Sequence, residues 1–251
     1  MTPGDAQLTD PLEGWCDVVG PGRMGQALVD ALSAAGVAVR GPFGRGANGD
    51  GASVVVLCVP DREIATAAAA IATGPIVGHV SASAPMDLLE PHERFVMHPL
   101  LSVVGAGTTF AGATCAIDGS SPHALAVVTA IAERLGMHAR VIEAPLRALY
   151  HASASAASNH VTTVLGLAES LGSKVGLDRA ALLPLVQATV QHWAALGARD
   201  ALTGPIARGD EGTVTRQRDA VAAGAAEQLP LWDALTQATR ELAAKPTGTP
   251  K

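Results

Sequence analysis

CDVVGPGRMGQALVDAL, residues 16–32, passes from a short apolar run through three glycines into an amphipathic helix. In that setting each glycine has a physical task. Gly20 permits a tight turn, Gly22 lets the backbone approach a pyrophosphate, and Gly25 lets the helix pack on the strand. With Arg23 and Met24 opening the helix, its N-terminal amides face the phosphates of a dinucleotide. Working outward, Trp15 to Val19 reads as the first strand and Arg23 to Ala35 as the helix, ended by Gly36. Val37 to Arg40 is a second strand. Ser53 to Val59 (SVVVLCV) is a continuous apolar run, the mark of a parallel strand buried on both faces. A helix from Arg62 to about Ala72, a strand from Ile76 to Val80 and a segment reaching Met97 follow. Strands at Thr114 to Ile117 and Arg140 to Ile142 then flank a helix capped by Ser121, with Pro122 at its first position. This alternation predicts an α/β fold with a doubly wound parallel sheet.

After Pro145 the strand signals stop. Helices are expected from about Leu146 to Leu171, from Asp178 to Leu196, and from about Glu211 and Pro230. The expected domains are therefore a nucleotide-binding domain, residues 1–144, and an all-α domain, residues 145–251, with the tail KPTGTPK disordered.

Composition narrows the function. The chain of 251 residues is 48% hydrophobic but only 3% aromatic, which favours closely packed helices over a sandwich of bulky strands. A net charge of −6 argues against nucleic-acid or anionic-membrane partners. No run has the ~18 apolar residues of a membrane helix, and the N-terminus lacks the order of a signal peptide, so a cytoplasmic protein is expected. Cys16, Cys58 and Cys115 are odd in number and set in apolar contexts, so neither disulfides nor a metal site is expected.

The end of the second strand discriminates between cofactors. An acidic residue about 20 positions past the first glycine would bind the ribose 2′-hydroxyl of NAD. Here that place holds Arg40, with Arg45 close behind and no Asp or Glu before Asp50. Two arginines suit a 2′-phosphate, so NADP is expected, with NAD as the alternative; solvated loop arginines would look the same. Val59 and Pro60 end the third strand, and Ser81 follows the fourth, where ligands of parallel sheets sit.

Farther on, His151, Ser155 and Asn159 in LYHASASAASNH are spaced i, i+4 and i+8. Each step turns an ideal helix by only about 40°, so the three share one stripe, with Tyr150 and His160 directed elsewhere. A stripe of this kind suits a catalytic wall, or equally a hydrogen-bonded structural histidine. Pro99 forces an extended chain at His98. In ALTGPIARGDEGTV, residues 201–214, Thr203, Arg208 and Thr213 offer donors to a carboxylate, unless the segment merely connects and caps helices.

GPGRMGQALVDAL, VVVLCVPDREI, HPL at residues 98–100, LYHASASAASN and ALTGPIARGD occur in that order. Together they resemble a bacterial family of Rossmann-like proteins with a C-terminal helical domain of unknown function. That family is akin to pyrroline-5-carboxylate reductases, ketopantoate reductases and 6-phosphogluconate-dehydrogenase-like enzymes. The resemblance implies a two-domain NAD(P)-dependent oxidoreductase, dimeric through its helical domain. The resemblance brings no substrate; by analogy with those related enzymes, the expected reaction is hydride transfer to a small substrate bearing a carboxylate, either a ketopantoate-like keto acid or a cyclic imine acid. It further implies His151 as proton donor with Asn159 and Ser155 beside it, in place of the lysine and asparagine of the hydroxyacid dehydrogenases. His98 is placed near the cleft, as in prephenate-dehydrogenase-like enzymes, and Thr203, Arg208 and Thr213 on the substrate carboxylate. A deazaflavin-dependent reductase and a non-catalytic dinucleotide-binding regulator are the alternatives.

Overall fold

A computed structural model describes residues 10–244. The tail KPTGTPK and the first nine residues lie outside that range. The first strand, β1 (Trp15–Val19), is followed by α1 (Arg23–Ala34), β2 (Val39–Phe43) and β3 (Ala52–Leu57). A 3-10 turn at Asp61–Glu63 leads into α2 (Ile64–Ala70), then β4 (Ile76–His79) and β5 (Arg94–Pro99). Next come β6 (Thr114–Gly119), α3 (Pro122–Arg134) and β7 (His138–Val141). These strands form one sheet in the order β2-β1-β3-β4-β5-β6-β7. From β1 the chain goes out to β2 on one side and returns to β3 on the other. The carboxyl ends of β1 and β3 therefore bound a topological switch point.

All neighbouring strands are parallel except β5 and β6, which run antiparallel. The doubly wound, mostly parallel sheet expected is thus present, with one antiparallel pair in it. The reason is local: residues 100–113 hold no helix to carry a parallel crossover, and an antiparallel return needs none.

The apolar runs sort by the strand period of two. Val54 and Val56 of β3 face a cluster with Leu28 and Leu32 of α1 and Ile131 of α3. Val55 and Leu57 face the opposite layer, with Ile64 and Ala68 of α2 and Leu89. Gly78 of β4 leaves room for the Phe95 ring, since a Cβ there would lie 2.1 Å from it.

The second strand ends three residues later than expected. Asp17 pairs with Arg40 and Val19 with Phe43, so two residues of β1 span three of β2. The extra residue is accommodated at Gly41, whose φ is +111° and whose Cβ, if present, would lie 2.4 Å from the Val18 carbonyl oxygen. Arg40 thus lies within β2 rather than at the end of that strand.

Residue contacts divide the chain into two compact units, one ending at Ser158 and one beginning at Asn159. The first includes α4 (Arg147–Ser155), beyond the 144/145 boundary expected from the end of the strand signals. A π-helical turn, Ala156–His160, follows α4 directly. In the second unit, α5 (Val161–Ser173), α6 (Arg179–Asp200), α7 (Glu211–Gly224) and α8 (Leu229–Ala244) are all helical. Asp178 caps α6, and Gly197, with φ 78° and ψ 165°, interrupts it just past Leu196. Arg179 grips Glu169 with two hydrogen bonds, joining α5 to α6. Arg218 does the same to Asp233 between α7 and α8. None of the 22 residues of α6 is buried.

Candidate functional site

The glycine turn is built as its spacing requires. The Gly20 amide donates to the Phe43 carbonyl (2.8 Å), and the Cys58 amide donates to the Val19 carbonyl (2.6 Å). A Cβ at Gly20 would sit 2.3 Å from the Cys58 carbonyl oxygen, and one at Gly25 only 1.9 Å from that of Gly20. Both positions are closed to any side chain. Gly22 differs: it has φ −80° and ψ −177°, and a Cβ there would meet nothing within 4 Å. No side chain caps α1 and no acidic residue stands in its first turn. Its leading amides are therefore left for an outside acceptor, beside a space that a side chain would fill. These residues fit a dinucleotide pyrophosphate. Met24 is half-buried against the core, while Arg23 is exposed, its stem beside Gly105.

The two arginines expected to hold a 2′-phosphate part company. Arg40 donates from Nε to Asp17 Oδ1 (2.6 Å) and from Nη2 to Asp17 Oδ2 (2.9 Å), and Nη2 also reaches the Asp50 carbonyl. Asp17 is only 3% exposed. The fork of Arg40 is thus occupied by a buried carboxylate that needs it, which removes Arg40 from the expected 2′-phosphate site. Arg45, two residues past the end of β2, is 89% exposed and holds Glu63 at 2.9 Å. Arg62 also lies 3.8 Å from Glu63.

At the ends of β3 and β4 a hydroxyl network fixes the next turn. Ser81 Oγ donates to Asp61 Oδ2 (2.9 Å) and accepts from the amides of Ser83 (3.2 Å) and Ala84 (3.0 Å). Ser83 Oγ donates to the same Asp61 oxygen (3.2 Å). Val59 is half-buried and Pro60 exposed at the start of this corner. The Ser81 amide donates to His79 Nδ1 (3.2 Å), so the His79 proton sits on Nε2. His79 is fully buried, and its Nε2 makes no hydrogen bond of good geometry among the described residues. Burial pushes its pKa down to about 4, against the opposing pull of the Pro85 carbonyl.

One strand over, His98 of β5 meets α4. Its Nδ1 lies 2.9 Å from the Tyr150 hydroxyl, which also reaches the His98 carbonyl oxygen at 3.2 Å. The two rings stand edge to face at 5.6 Å, and the His151 ring is 6.0 Å from that of His98. Burial, helped by His151, pushes His98 down to about 4, while Asp61 opposes. Burial likewise raises Tyr150 to about 12. Below them Arg147, 8% exposed, donates to Asp118 Oδ2 at 2.7 Å. Ser81, Val96, His98, Ala116, Arg147 and Tyr150 line a small pocket of about 10 Å³, room for a single water molecule.

Two expected residues, Ser81 and His98, therefore share a pocket, with His151 in ring contact. Tyr150 and Arg147 line it too, although the helical stripe directs Tyr150 away from the site. Tyr150 is the chain's one tyrosine, but nothing in the sequence pairs it with a residue 52 positions earlier. The stripe also does not continue as expected. Ser155 ends α4, and Asn159 lies exposed in the π turn, where i to i+5 winding replaces the 100° step.

In the second unit Thr203 and Arg208 are exposed. Thr213 donates its hydroxyl to Asp210 Oδ2 (2.7 Å) and accepts from Arg216 (2.7 Å), while Asp210 caps α7 through the Thr213 amide. That hydroxyl holds Asp210 below the usual carboxylate range. Asp210 before the helix was readable as a cap. Among the described residues, no cluster of three or more His, Cys, Asp or Glu suits a metal, and no helix is long and apolar enough to cross a membrane.

Comparison with known proteins agrees with this architecture. A family model described as "Domain of unknown function (DUF2520)" matches residues 113–239. No curated protein matches the sequence. Among solved structures, a candidate NADP oxidoreductase from Bacteroides fragilis is similar with a TM-score of 0.79 at 20% identity, over 92% of this chain and 99% of that one. A protein from Thermotoga maritima gives 0.73 at 22% identity, over 91% and 98%. A Plasmodium falciparum pyrroline carboxylate reductase with NADP bound gives 0.59 at 11% identity, over 92% and 99%. At these identities the likeness is one of fold.

Proposed function

Since the chain belongs to the family defined by the domain of unknown function DUF2520, whose model spans half of it, we propose a function from the geometry of its first unit. It is an NADP-dependent oxidoreductase that reduces a small keto acid or cyclic imine acid. The observation that carries this reading is the open space over Gly22 at the uncapped start of α1, set at the switch point of the sheet. The fold shared with a reductase that binds NADP supports it.

When bound, a reduced nicotinamide supplies the hydride. The protein's own residues do the rest. Gly22 and the first amides of α1 hold the pyrophosphate. Arg45 turns from Glu63 to the 2′-phosphate, a charge-assisted pairing that discriminates against NAD. Asp61, Ser81 and Ser83 keep the turn after β4 in place. His98 and His151 face the reacting group and polarise it.

The second unit makes the protein a homodimer in this reading. A 22-residue helix with no buried residue carries Leu183, Leu185, Val190, Trp193 and Leu196 exposed. Such a surface is stable in water when another apolar surface covers it, and a second copy of α6 brings one.

The test is a calorimetric titration of the protein with NADPH, NADH and a reduced deazaflavin, followed by NADPH oxidation with panels of 2-keto acids and cyclic imine acids. NADPH should bind tightest, by tenfold or more over NADH. If none of the three binds below millimolar concentration, the oxidoreductase reading fails. Tight binding without turnover on any substrate leaves a regulatory protein instead.

A further inference from the structure

We infer that Glu63 sets the cofactor preference: its carboxylate holds Arg45 until a 2′-phosphate displaces it, and Arg62 then takes over the released carboxylate. This rests on the proposed reading of Arg45 as the ligand of that phosphate.

The three side chains come from the two strands that flank the glycine turn. β2 and β3 both pair with β1. The Gly20 amide is tied to Phe43, two residues before Arg45, and the Val19 carbonyl to Cys58, at the start of the segment that leads to Arg62 and Glu63. Arg45 Nη2 lies 2.9 Å from Glu63 Oε1, and Arg62 Nη2 lies 3.8 Å from the same oxygen. The two arginine side chains are 89% and 82% exposed, the carboxylate only 26%. Two solvated cations thus share one sheltered acid. Glu63 precedes α2 without capping it, and its neighbour Asp61 is taken by Ser81 and Ser83. Among the described residues, the hydrogen bond from Arg45 is the one its carboxylate accepts.

An exposed ion pair holds weakly, by up to about fivefold in an equilibrium constant. A 2′-phosphate carries a charge of about −1.5 to −2 and offers three acceptor oxygens, against the single charge of a carboxylate. It therefore wins the guanidinium fork of Arg45. The 2′-hydroxyl of NADH is neutral and leaves the pair closed. The loop has room for the exchange, since a Cβ at Gly44 or Gly46 would meet nothing within 4 Å. Once Arg45 leaves, Glu63 stands unpaired near an incoming anion of like charge. Arg62, already beside the same oxygen, closes the remaining gap and keeps the carboxylate neutralised. The preference for NADPH is then the difference between two pairings of one arginine, and Glu63 supplies the one that must break. Glu63 and Arg62 act through Arg45 and are positioning residues.

The test is a calorimetric titration of the whole protein with NADPH, NADH, 2′,5′-ADP and 5′-AMP. Glu63→Gln should bind the two ligands that carry a 2′-phosphate about two- to fivefold tighter, with NADH and 5′-AMP unchanged. Arg62→Ala should weaken the same two ligands by a similar factor, and that loss should vanish in the Glu63→Gln background. NADPH binding that is unchanged or weaker in Glu63→Gln overturns the proposal, because Glu63 would then only present Arg45. A loss in Arg62→Ala that persists without Glu63 also overturns it, because Arg62 would then hold the phosphate itself. Urea midpoints check that each variant folds; should Glu63→Gln not fold, Glu63→Ala makes the same comparison. If NADPH binds neither the wild type nor any variant, the cofactor reading falls and takes this proposal with it. If NADPH binds tightly and its ratio to NADH does not move in Glu63→Gln, this proposal falls alone.

Discussion

Gly22 and Gly25 are three residues apart in one motif, yet alanine at each should do opposite things. At Gly22 the backbone, with φ −80° and ψ −177°, is open to any residue, and the new methyl would meet no atom within 4 Å. Stability should therefore change little, or rise by ~0.4–1 kcal/mol because alanine restricts the unfolded chain. At Gly25 the methyl would lie 1.9 Å from the Gly20 carbonyl oxygen. Backbone must move, at a cost of about 1–3 kcal/mol. Binding should show the reverse contrast. The Gly22→Ala methyl fills the space over the first amides of α1, and a displaced phosphate loses at least one charged hydrogen bond, worth about 1.5–3 kcal/mol. That is roughly a ten- to hundredfold weaker NADPH complex. The assay pairs urea denaturation with calorimetric titration of each variant. A Gly22→Ala protein that folds normally and binds NADPH like the wild type would refute the placement of the pyrophosphate. Loss of binding only in step with loss of stability would refute the separation of the two roles.

Four further outcomes are expected. Arg45→Ala should erase the preference for NADPH over NADH at unchanged stability. Arg40→Ala should keep that preference but lower the urea midpoint, because it strands the buried Asp17 carboxylate; paired titration and denaturation check both. His79, held near 4 against an ordinary 6.5, has a folded value below the unfolded one. Its contribution is intact above pH ~6.5 and is lost as pH falls toward 4, by roughly 2 kcal/mol at pH ~5. Urea denaturation of His79→Leu should show a shallower acid loss than the wild type; equal slopes would contradict the assignment. Trp193→Glu in α6, at a side chain 57% exposed, should convert a dimer to a monomer in sedimentation velocity without lowering helix content.

The strands and helices were readable because their signals are local. The apolar run of β3, the Gly20–Gly25 spacing, the Ser121–Pro122 start of α3 and the Asp178 cap of α6 each act within a few residues. What the sequence concealed is tertiary. Counting 20 residues from Gly20 arrives at Arg40, but the residue added at Gly41 lengthens β2, and Arg40 turns back to Asp17 across the neighbouring strand. The stripe of His151, Ser155 and Asn159 assumes uniform winding, and a run of alanine and serine carries no mark of the π turn at Ala156–His160. Tyr150 looked misdirected for the same reason that it matters. Its partner, His98, comes from the sheet, and helical phase alone does not say which side of α4 the sheet occupies.

The fastening of α4 also dictates how the molecule can be dissected. Arg147, almost wholly buried, holds Asp118 of β6, and Tyr150 holds His98 of β5. A fragment cut at residue 144 would keep all seven strands yet leave Asp118 without its cation and His98 without its phenol. A fragment ending at Ser158 would keep both. The smallest portable form of the first unit therefore carries a helix that, by its sequence, looks like the property of the other half.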